Sequence, residues 1–171
     1  MIKMKTFATP ALLIAVGLTV TYQPCTAQNG GTPEETLRQA VSALAADDQA
    51  AIAKLSSDQV EFKKFVCPTM QARMSNTTAA QYYTTHQKVS QVGVDEAKAA
   101  LAGKKWEVVK VIIESAQRNG KDFQLFGSPA ITVRDEGGQE KTVRLVGGLL
   151  DRGGVYKITT YYVSPSLKAS K

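Results

Sequence analysis

The chain has 171 residues, 43% of them hydrophobic, 21% charged and 7% aromatic, with a formal net charge of +6, two cysteines and one histidine. This composition is that of an ordinary one-domain globular protein, long enough to bury a core without a metal or disulfide staple. It excludes a collagen, a small disulfide scaffold and a polytopic membrane protein, and it selects no activity.

Lys3 and Lys5 precede an apolar run from Phe7 to Val20, and Pro24, Cys25, Thr26 and Ala27 follow. A basic start, an apolar stretch shorter than the roughly 20 residues of a spanning helix, and small residues behind it predict a signal peptide over residues 1–27, cut before Gln28. Cleavage would remove two lysines and no acid, lowering the charge from +6 to +4, and would leave Cys67 as the one cysteine. The expected location is periplasmic or extracellular, with no stable membrane insertion after signal removal. The competing reading is a lipid anchor on Cys25, against which Tyr22 and Pro24 stand where an aliphatic and a small residue are usual. Cys67 lies beside Val66 in an apolar stretch and reads as an inert buried thiol, with a reactive or intermolecular thiol as the alternative.

Residues 28–167 are expected to form a single domain, ahead of a frayed tail at 168–171. Thr32-Pro33-Glu34-Glu35 predicts a helix start, with Thr32 as cap, Pro33 in the first turn and Glu35 placed for a capping box. Leu37, Val41 and Leu44 follow at helical spacing and should face inward. Asp48 can cap a second helix carrying Ile52 and Leu55. A third helix is expected from Ser57 or Asp58 through Val60, Phe62 and Phe65, ended by Pro68. The polar stretch from Pro68 to Val94 reads as a loop followed by an irregular helix. Asp95 is expected to cap a further helix through Ala97, Ala100 and Leu101, stopped by Gly103.

Beyond Gly103 the pattern turns to β-formers. Trp106 to Ile113 predicts a first strand, and Asn119-Gly120 suits a hairpin turn. Phe123–Phe126 and Ala130–Arg134 form a second extended region broken at Gly127-Ser128-Pro129. Lys141–Leu150 and Val155–Val163 give two more, with turns at Gly137-Gly138 and Gly153-Gly154. Helices gathered ahead of antiparallel strands predict an α+β fold, with amino-terminal helices packed on a curved antiparallel sheet of about four strands.

The segments Pro33–Leu37, Leu44–Asp48 and Ile52–Leu55, with Arg144–Leu150 and Gly154–Ile158 near the other end, resemble the NTF2-like superfamily of cystatin-like cones. The resemblance runs in order along most of residues 28–167, though 68–94 does not match. It implies a cone-shaped fold, often dimeric, and no particular activity, because function in such folds resides in cavity side chains.

The inventory of reactive residues narrows the chemistry. One histidine and one remaining cysteine exclude a multi-histidine metal centre and zinc or iron–sulfur sites, so no metal and no cofactor is expected. No G-x-S-x-G turn offers a serine nucleophile, and Cys67 with His86 is only formally a thiol–imidazole pair. The cavity enzymes that the resemblance brings in use buried carboxylates or histidine, for which Glu107, Glu114 and His86 are the candidates. Tyr82, Tyr83, His86 and Trp106 are candidate ligand contacts, as aromatics with polar tips, against a purely structural role. Lysines and arginines are scattered, adjacent only at Lys63-Lys64 and Lys104-Lys105, which argues against nucleic acid. Asn76-Thr77-Thr78 fits a glycosylation acceptor.

Two classes of function follow. The first is an exported non-enzymatic module that binds a small apolar ligand or a protein partner, or forms a homodimer through its sheet. The second is a cavity acid–base enzyme of the isomerase or hydrolase type. The placement of His86, Trp106, Glu107 and Glu114 relative to the concave face separates them.

Overall fold

A computed structural model describes residues 31–70 and 76–164. The expected signal peptide, the Cys25 anchor and the tail at 168–171 lie outside the described residues.

Local capping sets the first three helices. Thr32 accepts from the Glu35 amide at 3.2 Å and Pro33 opens α1 (Pro33–Ala45), which buries Leu37, Val41 and Leu44. The second half of the expected capping box is absent, because the Glu35 carboxylate accepts instead from the Gln39 side chain at 3.1 Å. Asp48 caps α2 (Gln49–Leu55), accepting from the Ala51 amide at 3.0 Å. Asp58 starts α3 (Gln59–Glu61) with a complete capping box, Glu61 returning to the Asp58 amide at 3.1 Å.

At Phe62 the helix widens into a π turn (Phe62–Val66), in which the Cys67 amide reaches back to the Phe62 carbonyl. Pro68 does not end the segment, as expected, but lies inside a 3-10 turn that carries on to Met70. The extra residue of the π turn brings Phe62, Val66 and Cys67 onto one buried face. Val60 points outward instead, 72% exposed.

The region expected to be irregular is the longest helix, α4 (Ala79–Leu101), of 23 residues. Thr78 and Gln81 form its capping box, and Asp95 lies within it, accepting from the Gln91 side chain at 3.0 Å rather than capping a separate helix. Its inward face does repeat at helical spacing, through Tyr83, His86, Ser90, Val94, Ala97 and Leu101, but the first half fills that stripe with polar-tipped residues. Gly93 sits where α4 crosses the last strand, and a methyl there would stand 2.2 Å from the Tyr161 carbonyl oxygen. The helix ends at Gly103, whose φ of 74° suits a residue without a β-carbon.

The strands are β1 (Trp106–Ile112), β2 (Arg118–Asn119), β3 (Gln124–Phe126), β4 (Ala130–Asp135), β5 (Glu140–Val143), β6 (Val146–Asp151) and β7 (Tyr156–Tyr161). They pair antiparallel in two sheets, ordered β1-β4-β5 and β2-β3-β6-β7. The fold is α+β, helices first, as the sequence indicated; among the described residues the four extended stretches become seven strands, because two of them are interrupted and the short β2 forms at Arg118–Asn119, where a turn was expected.

Those two interruptions face each other. β4 pairs with β5 and β3 pairs with β6, so residues 124–135 and 140–151 form one long hairpin that bends at Gly127–Pro129 and Arg144–Leu145. The pairing register moves by one residue across the bend, which is how a bulge turns a strand. Ser128 donates to the Val146 carbonyl at 2.7 Å, the Arg144 guanidinium donates to the Ser128 carbonyl, and the Tyr162 amide donates to the Leu145 carbonyl at 3.0 Å. The bent backbone therefore keeps its hydrogen bonds.

Two apolar clusters fill the fold. The main core joins Leu37, Leu44, Ile52 and Leu101 to Ile131, Leu149 and Ile158. A second cluster centres on Phe62, with Val66, Cys67, Leu125 and Leu150, and with Tyr82, Tyr83 and Phe123 packed on it. Cys67 is a buried free thiol whose pKa is pushed up by burial, the Lys63 charge opposing.

Candidate functional site

The six candidate residues separate into two groups. Trp106 caps the junction of α4 and β1: its indole nitrogen donates to the Leu101 carbonyl at 2.9 Å, and the ammonium groups of Lys141 and Lys104 stand over its ring at 4.3 and 5.6 Å. Glu107 and Glu114 are exposed and ion-paired, with Arg134 at 3.3 Å and Arg144 at 3.4 Å. Both carboxylates point to solvent beside their arginine partners rather than into an apolar cavity.

Tyr82, Tyr83 and His86 come together on the first half of α4, around Phe62. Ring centroids lie 6.0 Å from Phe62 to Tyr82, 5.4 Å to Tyr83 and 4.5 Å to His86. This aromatic face borders two concavities, one on each flank of α4.

On the first flank, His86 lines a cavity of about 130 Å³ with Met70, Gly147, Gly148 and Thr160. Gly148 lies in an irregular register between β6 and β7, and a methyl on it would meet the Thr159 hydroxyl at 2.5 Å. The His86 Nε2 lies 2.9 Å from the Thr159 carbonyl and also contacts the Thr160 hydroxyl. A carbonyl partner assigns the proton to Nε2. Burial lowers the pKa of the ring, the Thr159 contact opposing, so the imidazole is held neutral. No hydrogen bond joins it to Cys67 among the described residues.

His86 thus braces an edge strand. β7 has no neighbour beyond it in its sheet, and its outer edge is covered piece by piece. The Ser57 amide donates to the Ile158 carbonyl at 2.8 Å, His86 takes the Thr159 carbonyl, and the Tyr161 amide donates to the Ser90 hydroxyl at 3.0 Å. One row of α4 side chains with the α2–α3 turn replaces a missing strand.

On the other flank, a groove of about 270 Å³ runs between α2–α3 and α4, lined among others by Ser57, Tyr83, Gln87, Ser90, Gln91 and Tyr161. Ser57 and Tyr161 are 3% and 1% exposed, and the hydroxyls of both lack any hydrogen-bond partner. Burial pushes the Tyr161 phenol up to about 12. The Ser56 side chain opposes that rise, and its own hydroxyl donates to the Ile52 carbonyl at 2.7 Å. A buried hydroxyl without a partner is costly, and a folded protein keeps few of them.

Of the groove residues only Tyr83 was a sequence candidate. The run Tyr83, Gln87, Ser90, Gln91 at helical spacing is the signal that could have pointed to it, had the segment been read as one helix. Compared with known proteins, the chain matches no family model, no curated protein and no solved structure, so its geometry carries the functional argument alone.

Proposed function

We propose that the chain is an exported, non-enzymatic binding module of NTF2-like type, which seats a small ligand in the groove between α2–α3 and α4. The observation that carries this reading is the pair of buried, unpartnered hydroxyls of Ser57 and Tyr161 in the wall of that groove. The tying of His86 to a backbone carbonyl and the outward ion pairs of Glu107 and Glu114 favour binding over acid–base chemistry. The bent hairpin wrapped against the helices supports the NTF2-like reading, and the polar lining favours a polar ligand over the apolar one expected from the sequence. No helix among the described residues is long and apolar enough to cross a membrane.

A thermal-shift screen of the purified chain against small polar compounds tests the reading. A ligand at about 100 times its Kd should add about 2.7 kcal/mol, raising Tm by several degrees, and H86Q should leave that increment intact. Turnover of any hit that disappears in H86Q would overturn the non-enzymatic assignment. Export is checked by amino-terminal sequencing of protein recovered from cells: Gln28 is the expected first residue, and an intact Met1 would refute cleavage.

A further inference from the structure

We infer that the groove between α2–α3 and α4 takes an uncharged polyhydroxyl ligand, on the scale of a single sugar ring, with the Ser57 and Tyr161 hydroxyls as its innermost hydrogen-bonding partners. The inference rests on the proposed binding role and adds the class of ligand. Its first support is the polarity of the walls. Serine, glutamine and tyrosine side chains supply donors and acceptors on both sides, while Asp58 is the one charged residue in the lining and already accepts from the Glu61 amide at 2.7 Å as a helix cap. With no lysine or arginine in the lining, the groove has nothing to neutralise a phosphate or carboxylate, and a long apolar chain would strand the groove's polar groups without partners.

Size and shape agree with that class. The volume of about 270 Å³ lies just below the roughly 300–1,000 Å³ of sites for drug-sized ligands. Tyr83, half-buried, adds an aromatic residue to a lining of hydroxyl and amide groups, which suits a ring with one apolar face and a polar perimeter. Both hydroxyls are shut off from bulk water in the free protein, so a ligand reaches them only by parting α2–α3 from α4, and it then supplies partners that the folded chain itself does not.

The role of Tyr161 also predicts a separation of stability from binding. Its ring packs in the main core, where phenylalanine would serve as well, and the residue also lines the groove. Removing an unpaired buried hydroxyl while keeping the ring is neutral or stabilising for the free protein.

The test is an amide-shift titration of the full chain, by two-dimensional NMR, with D-glucose and N-acetyl-D-glucosamine, and with inorganic phosphate and decanoate as comparators. The expected result is that a sugar moves the amides of Ser57, Gln87 and Tyr161, and that Y161F and S57A each weaken it about three- to tenfold. Y161F should meanwhile melt at or above the temperature of the parent. Shifts at the same amides from phosphate or decanoate but not from the sugars would overturn the ligand class and leave the binding role standing. No groove response to any probe, with ordered water alone on the two hydroxyls in a high-resolution crystal structure, would overturn both. Sugar binding that survives Y161F and S57A unchanged would remove these hydroxyls from the site and so overturn the inference.

Discussion

The two apolar clusters are built from different materials. The main core is aliphatic and shared by α1, α2, the second half of α4 and both sheets, with Leu37, Leu101, Ile131 and Leu149 at 0% exposure. The cluster around Phe62 is aromatic and smaller, and it joins the π turn and the first half of α4 to β3 and β6. Aliphatic side chains fill space and leave nothing unspent, whereas tyrosine, histidine and serine carry polar tips that must find partners. The His86 cavity and the groove lined by Ser57 and Tyr161 adjoin that polar-tipped half of the helix. The packing material thus changes along one helix, near Ser90 and Gly93.

The largest expected effects compare the clusters directly. F62A should cost about 3–5 kcal/mol and L149A about 2–5 kcal/mol, read by denaturant unfolding. Their patterns should differ. F62A is expected to lose hydrogen-exchange protection first at Tyr82, Tyr83 and His86, while L149A lowers protection throughout. Identical patterns in both variants would show a single cooperative core and dissolve the distinction.

A smaller effect is expected at the boundary between the halves. A methyl at Gly93 meets the Tyr161 carbonyl, a backbone atom that cannot swing away, so G93A must push α4 off β7. The expected cost is about 1–3 kcal/mol, and the displaced helix should also lengthen the Ser90 to Tyr161 hydrogen bond. Unchanged stability in G93A would mean that α4 is free to slide and that the boundary imposes no constraint.

The smallest effect concerns pH. His86 has a folded pKa below its ordinary value of 6.5, mainly through burial. The unfolded chain therefore binds the proton more readily, and the stability that comes from the neutral ring is complete above pH 6.5 and declines as pH falls toward the depressed folded value. As the one histidine of the chain, it should account for the slope of stability just below pH 6.5, and H86Q should flatten that slope. A slope that survives in H86Q would assign the dependence to other groups and weaken the description of His86 as a neutral brace.

Much of the fold was legible in the sequence wherever a feature is local. Thr32, Asp48 and Asp58 cap helices because a side-chain oxygen two or three residues from a free amide is enough, whatever the rest of the chain does. Gly103, Gly138, Gly153 and Gly154 mark turns because their positive φ angles favour a residue without a β-carbon. The α+β order follows from the change of hydrophobic period near Gly103. The first half of α4 is not legible as apolar periodicity, because before Val94 its inward stripe holds tyrosine, histidine, serine and glycine in place of aliphatics.

Among the site candidates, the sequence singled out Tyr82, Tyr83 and His86, which the fold gathers, along with Trp106, Glu107 and Glu114, which it sends elsewhere. Residue type alone could not make that separation. Whether a carboxylate faces a cavity or an arginine, and whether an imidazole is free or tied to a strand 73 residues away, depends on pairing across the chain. The bend of the hairpin, the close passage of α4 over β7, and the unpaired hydroxyls of Ser57 and Tyr161 belong to that same level. Capping and turn chemistry are settled within a few residues, so the sequence determined them by itself. The balance of hydrogen-bond partners is a sum over distant segments, and only the tertiary structure decided which groups were left over.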